Sequence, residues 1–165
     1  MKIYCGIDPG KTGAIALLTE GRFVINVHDM PIESSSTVKD RIDPLGVWAI
    51  FQKYNMNHIC TAVEKQSSRP GQGVVSVFSL GESWGILRSV SALSSHESLE
   101  VAPRTWQKKI NRPSTGDSKA DSLTMARELF PDYDGLSRKK DHNRADALLL
   151  AVYARIMFRN GGGEG

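Results

Sequence analysis

The sequence predicts an α/β fold in a single domain built on five strands, and three observations predict it. Apolar runs of strand length fill the first 28 residues, broken only at turn signals. Further short apolar runs then alternate with longer segments of helical period. Three of these runs begin or end on a carboxylate, at Asp8, Glu64 and Asp146.

Residues 2–8, 14–19 and 22–28 read as a three-stranded meander, separated by Gly13 and by the Glu20, Gly21 turn. Residues 31–42 are polar and serine-rich and read as a loop. Asp43 followed by Pro44 is a helix start, an N-cap with proline behind it, and residues 44–54 carry Leu45, Trp48, Ile50 and Phe51. A fourth strand over 58–63 delivers Glu64. Pro70, Gly71 and Gly73 break the chain before a long helix over 74–93, with Val77, Leu80, Trp84 and Leu87 along one face. Gly81 and Gly85 lie on or beside that face, where small residues suit either a second helix or packing within the domain. Residues 98–102 read as the fifth strand, 103–110 and 119–130 as helices, and 145–158 as a final apolar helix. The domain spans 1–160, and the glycine-rich stretch 161–165 reads as a flexible tail.

With 165 residues, 40% of them hydrophobic, the chain has length for one sizeable core and not two. No apolar run reaches the roughly 18 residues that a membrane span needs. The first strand starts too early to leave room for a leader, so cytoplasm is the expected compartment. Strand alternation puts Cys5 on the opposite face from Asp8 and Cys60 on the same face as Glu64. The two thiols should therefore be reduced core residues on opposite sides of the sheet. A net charge of +3 understates the basic surface if the acids are gathered in one site. Arg104, Lys108, Lys109, Arg112 and Lys119 stand against Asp117 alone, and Arg138, Lys139 and Lys140 precede the last helix. Both clusters suit a phosphate backbone, and both are compatible with solvated helix faces.

Asp8 ends an apolar run that breaks at once on Pro9, Gly10 and Gly13, as a strand does when it delivers one carboxylate to its tip. Glu64 ends a second run, and Asp146 opens a third on a helical stripe with His142, Leu149, Leu150, Tyr153 and Met157. An acid in an apolar stripe costs several kcal/mol to bury alone, so it needs a cation, either a metal or a partner arginine. Three such carboxylates point to a divalent-metal site and to phosphoryl transfer, with Asp8 as the natural bridge between two cations. Gly10, Lys11 and Thr12 imitate the end of a phosphate-cradling P-loop, but its first glycine would fall on Cys5. The same stretch is similar to the first phosphate loop of actin-like kinases, which need two such domains. The four histidines and two cysteines show no zinc spacing.

Four stretches occur in order along the chain: Gly6-Ile7-Asp8-Pro9-Gly10, Ala62-Val63-Glu64-Lys65-Gln66, Val101-Ala102-Pro103-Arg104-Thr105-Trp106 and His142-Asn143-Arg144-Ala145-Asp146-Ala147-Leu148. Together they resemble the RuvC-type Holliday junction resolvases, and most closely their phage-like branch within the RNase H-like nuclease superfamily. The resemblance implies an RNase H-like fold, a mixed five-stranded sheet with helices on both faces. It implies a homodimeric, Mg²⁺-dependent endonuclease that cuts four-way and other branched DNA in a bacterial or phage-infected cell. Two Mg²⁺ per site are implied, with Mn²⁺ as a substitute, held by Asp8, Glu64 and Asp146. The helix over 74–93 is then the dimer surface.

The fourth donor is open. The family places an acid or histidine three residues before the helical acid, and that position is Asn143 here. Asp141 is the harder ligand and reaches the site if the helix starts near 142. His142 shares the helical face of Asp146 and could also carry a proton. The resemblance further puts Lys65, Gln66, Arg69 and Gln72 beside the cut strand, and Arg104, Lys108, Lys109, Lys119, Lys139 and Lys140 on the DNA backbone. Trp106 either stacks on a base or anchors its helix in the core. A catalytically silent DNA-binding domain and a nuclease for RNA–DNA hybrids are the competing functions.

Overall fold

A computed structural model describes residues 1–34, 40–54 and 56–159. The tail 161–165 and the serines of 35–39 lie outside the described residues. The fold is α/β. Strands β1 (Ile3–Asp8), β2 (Ala14–Thr19) and β3 (Val24–Asp29) form an antiparallel meander, and β6 (Ile59–Glu64) and β7 (Glu97–Val101) add to β1 in parallel. The sheet order is β3-β2-β1-β6-β7, so β1 is central. Two-residue strands β4 (Ile32–Glu33) and β5 (Arg41–Ile42) pair in the region that reads as loop, with Arg41 and Glu33 forming an ion pair. That ribbon is too short to show in a periodicity.

Five helices cover the sheet: α1 (Pro44–Gln52), α2 (Val74–Ser94), α3 (Pro103–Lys109), α4 (Ser118–Leu129) and α5 (His142–Arg159). Asp43 caps α1 by accepting from the Leu45 amide at 3.0 Å, with Pro44 in the first turn. Alternation along the strands splits the interior into two cores. Cys5, Ile7, Ile15, Leu17 and Val63 meet Val47, Phe51 and Leu87 of α1 and α2. Tyr4, Ala16, Leu18, Cys60 and Ala62 meet α3, α4 and α5 on the other face. The two cysteines are thus free and lie on opposite faces, and burial pushes the Cys5 thiol up to about 12. No described helix is long and apolar enough to cross a membrane.

Two helices differ from the sequence expectation. The buried stripe of α2 is Ser83, Leu87, Ser91 and Ser94, while Val74, Val75 and Phe78 are exposed. Among the described residues, nothing covers Val74, Val75 and Phe78 of its first turns. A side chain at Gly81 or Gly85 would meet nothing within 4 Å, so these glycines are not internal packing positions. Helix α5 starts at His142, three residues earlier than expected, because a 3₁₀ turn at Lys139–Asp141 feeds straight into it.

Candidate metal centre

Ile7 lies opposite Val63 in the parallel ladder, so β1 and β6 end side by side. Asp8 shares the face of Tyr4 and Gly6, and Glu64 that of Cys60 and Ala62, and this is the face covered by α5. The carboxylates therefore leave adjacent strand tips toward the same helix. Beyond Asp8 the chain turns sharply through Gly10, at φ +114, and the Gly13 amide donates to Gly10 O at 3.0 Å. A Cβ at Gly13 would sit 2.0 Å from Asp8 O, which keeps this turn closed against the strand end. Asp146 arrives from the first turns of α5. All three acids are half-buried, enclosed by protein on one side and open on the other.

The three influence one another strongly. Burial pushes the Asp8 carboxyl well above the ordinary range, and the charges of Asp146 and Glu64 push it further. Burial also raises Glu64, opposed by the Trp106 hydrogen bond, raised again by Asp146 and eased by Arg112. Asp146 is raised by burial and eased by Ser122, Arg112, His142 and Lys119. These are like charges gathered in a low-dielectric cleft, a cost that a bound cation removes.

Two of the acids are held by neutral donors. Trp106, fully buried, donates its indole N–H to Glu64 Oε2 at 2.7 Å. The Ser122 hydroxyl donates to Asp146 Oδ1 at 2.6 Å, and Ser122 in turn accepts from the Arg112 guanidinium at 3.2 Å. Trp106 is therefore a core residue with its polar end on a site carboxylate, not a surface platform for bases. Among the described residues, no hydrogen bond engages the Asp8 carboxylate and no arginine or lysine pairs with any of the three acids. The buried ion pair considered for Asp146 is not formed.

The structure pairs Asp141 with Arg138. Its carboxylate turns back to accept from the Arg138 amide at 2.7 Å and from the guanidinium at 2.7 Å, closing the 3₁₀ turn. That pairing holds its carboxyl below the ordinary range. Although α5 does start at 142, the residue before it is spent on capping. His142 stands one turn before Asp146 on the same face of α5. Its Nδ1 lies 3.1 Å from Lys139 O, so that nitrogen carries the hydrogen and Nε2 is the free one. Asn143 instead donates to Thr12 O at 2.5 Å, tying α5 to the turn after Asp8.

The basic residues divide into groups. Lys65, Arg69 and Gln72 are exposed beyond Glu64, and Gln66 and Gln72 border a groove with Gly10 and Lys11. Lys119 opens α4 near Asp146. Arg104, Lys108 and Lys109 line a cleft against Tyr153 and Met157, two to three turns along α5 from Asp146. Lys140 borders a second cleft with Lys11, Arg138 and His142, and Lys139 is exposed beside it. Sequence reasoning did not assign Ser122 a role, since a helical serine carries no signal of its own. Arg144 was likewise missed as an anchor: it grips Asp29 with two contacts of 2.7 Å and fixes the start of α5 to the end of β3.

The donor set is all carboxylate oxygen with one imidazole beside it, which suits a hard divalent cation such as Mg²⁺ or Mn²⁺. Among the described residues, no three His, Cys, Asp or Glu side chains are gathered closely enough to hold a metal ion as they stand.

No family model and no curated protein matches the sequence. Solved structures do. RuvC of T. thermophilus in complex with a Holliday junction substrate superposes with a TM-score of 0.64 at 15% identity, covering 98% of this chain and 97% of that one. A second structure of Thermus thermophilus RuvC gives 0.57 at 18% identity, with 96% of each chain covered. Over nearly its whole length, the chain has the RNase H-like fold of the RuvC Holliday junction resolvases.

Proposed function

We propose that the protein is a Mg²⁺-dependent, structure-selective endonuclease that resolves four-way and other branched DNA by paired phosphodiester cleavage, as a homodimer in the cytoplasm of a bacterial or phage-infected cell. The observation that carries it is that Asp8 and Glu64, at adjacent strand tips, and Asp146 of the covering helix lie on one face of the sheet, with no arginine or lysine paired to any of them among the described residues. Three carboxylates so placed have no structural use that a well-packed apolar trio would not serve better.

When bound, divalent cations supply a water that is nucleophilic near neutral pH and relieve the charge developing on the leaving 3′ oxygen. The side chains divide the remaining work. Asp8, with both oxygens free of hydrogen bonds among the described residues, would hold the cations together with Glu64 and Asp146. Glu64 and Asp146 flank it, and His142, with Nε2 free, serves as fourth donor or as carrier of a proton. Lys65, Gln66, Arg69 and Gln72 follow the strand being cut, and Lys119 takes an adjacent phosphate. Arg104, Lys108, Lys109, Lys139 and Lys140 extend the contact along other arms. The uncovered first half of α2, with Val74, Val75, Phe78, Gly81 and Gly85, is the surface for the second copy.

The test is cleavage of a synthetic four-way junction beside matched duplex and RNA–DNA hybrid, with and without Mg²⁺, by the wild type and by Asp8→Asn, Glu64→Gln and Asp146→Asn. The junction alone should be cut, only with the metal, and each variant should bind the junction yet leave it intact. Cleavage of the hybrid in preference, or binding without any cleavage, would replace this reading with one of its competitors.

A further inference from the structure

Lys11 follows Asp8 by three residues, on a turn that is held at its backbone. The Gly13 amide donates to Gly10 O at 3.0 Å, the Met30 amide to Gly13 O at 2.9 Å, and Asn143 Nδ2 to Thr12 O at 2.5 Å. The turn presents the half-buried Lys11 between two clefts. On one side Lys11 shares a groove with Gly10, Gln66 and Gln72. On the other it lines a cleft of about 500 Å³ that Lys140 and His142 also line. Four cations border this second cleft, Lys11, Arg138, Lys140 and Arg144, against the carboxylates of Asp29 and Asp141. Both carboxylates are taken: Arg144 holds Asp29 and Arg138 holds Asp141, each at 2.7 Å. Among the described residues, Lys11 and Lys140 therefore have no carboxylate to pair with. A cleft left with one sign of charge focuses its field and draws in an anion.

We propose that this cleft is a phosphate subsite for the cut strand, in which Lys11 and Lys140 bind backbone phosphates where the strand leaves the site for the next arm. The proposal rests on the reading of the chain as a nuclease for branched DNA. The two clefts meet at Lys11, so a strand that follows Gln66 and Gln72 past the tip of β1 enters the cleft of Lys140 without leaving protein. An ammonium group suits this use: it is a compact point charge on a flexible stem, which meets a phosphate without fixing its orientation. The rigidity comes instead from the turn, whose hydrogen bonds tie Lys11 to the end of β1 on one side and to α5 on the other.

The experiment is binding of a synthetic four-way junction in EDTA, where no cleavage competes, by the full chain and by Lys11→Gln and Lys140→Gln. Each phosphate around the branch point is replaced in turn by an uncharged methylphosphonate. In the wild type, replacing a contacted phosphate should weaken binding roughly two- to fivefold, the range of an exposed ion pair. In Lys11→Gln one of those replacements should cost nothing further, because the lysine it would have met is already gone. Lys140→Gln should lose its sensitivity at the same linkage or the next one. Losses that add at every linkage, in either variant, overturn the subsite, and a wild type that still prefers the junction to matched duplex then leaves the nuclease reading standing. A wild type without that preference overturns both. Neither lysine forms an ion pair among the described residues, so neither variant removes one that holds the fold.

Discussion

Gly6 of β1 lies directly beneath Ala147 of α5: a Cβ on Gly6 would stand 2.1 Å from the Ala147 carbonyl oxygen and 2.3 Å from the Ala151 amide nitrogen. The contact is backbone against backbone, with no flexible side chain to give way. It sets how closely α5 rests on the central strand, and hence how near Asp146 comes to Asp8, two residues further along β1.

Gly6→Ala should therefore cost more than an ordinary small-to-large change, at least ~1–3 kcal/mol by urea denaturation. Cleavage by the fraction that stays folded should fall as well, because lifting α5 separates Asp146 from Asp8. A Gly6→Ala protein with wild-type stability would show that the helix does not sit this close.

Asp141 and His142 should separate by what they damage. Asp141→Asn weakens the 3₁₀ turn through its lost ion pair with Arg138 and should lower the melting temperature with modest effect on junction cleavage at temperatures where the protein is folded. His142→Ala should leave the melting temperature nearly unchanged and reduce the cleavage rate. The reverse ranking would return Asp141 to the metal.

Asp121 gives a pH dependence with a definite sign. Its carboxylate accepts from the Thr115 hydroxyl at 2.6 Å and the Thr115 amide at 3.0 Å, and these bonds hold its carboxyl below the ordinary range. A carboxyl depressed in the folded state stabilises fully above its unfolded pKa, near ~3.9, and the contribution disappears as pH falls through the lower folded value. The stability gap between wild type and Asp121→Asn should be constant above pH ~5 and close on further acidification. Denaturant midpoints measured across that range check it, and a gap that widens in acid contradicts it.

Junction affinity should fall steeply with salt. Lys119→Gln and Lys108→Gln should each reduce the slope of log affinity against log salt by about 0.7–0.9 if each lysine meets one phosphate. Lys119 stands near Asp146 and Lys108 two to three turns away along α5, so an effect at Lys119 alone would confine the DNA to the mouth of the site.

By itself the sequence determined the strand and helix order and where the three marked acids fall in it, because each is written in local terms. Alternation marks a strand, glycine and proline mark its end, and a carboxylate at such an end stands out against apolar neighbours. The short β4–β5 ribbon and the buried face of α2 escaped, since two-residue strands have no period and the buried stripe of α2 is mostly serine, which no apolar pattern marks. The tertiary structure alone decided which donor meets which carboxylate. Trp106 reaches Glu64 across 42 positions of sequence and Ser122 reaches Asp146 across 24, and neither spacing leaves a local trace. It also set the different surroundings of Asp141 and His142. Both are close enough in sequence to serve, but hydrogen-bond geometry at the start of α5 closes Asp141 on Arg138 and leaves His142 one turn from Asp146.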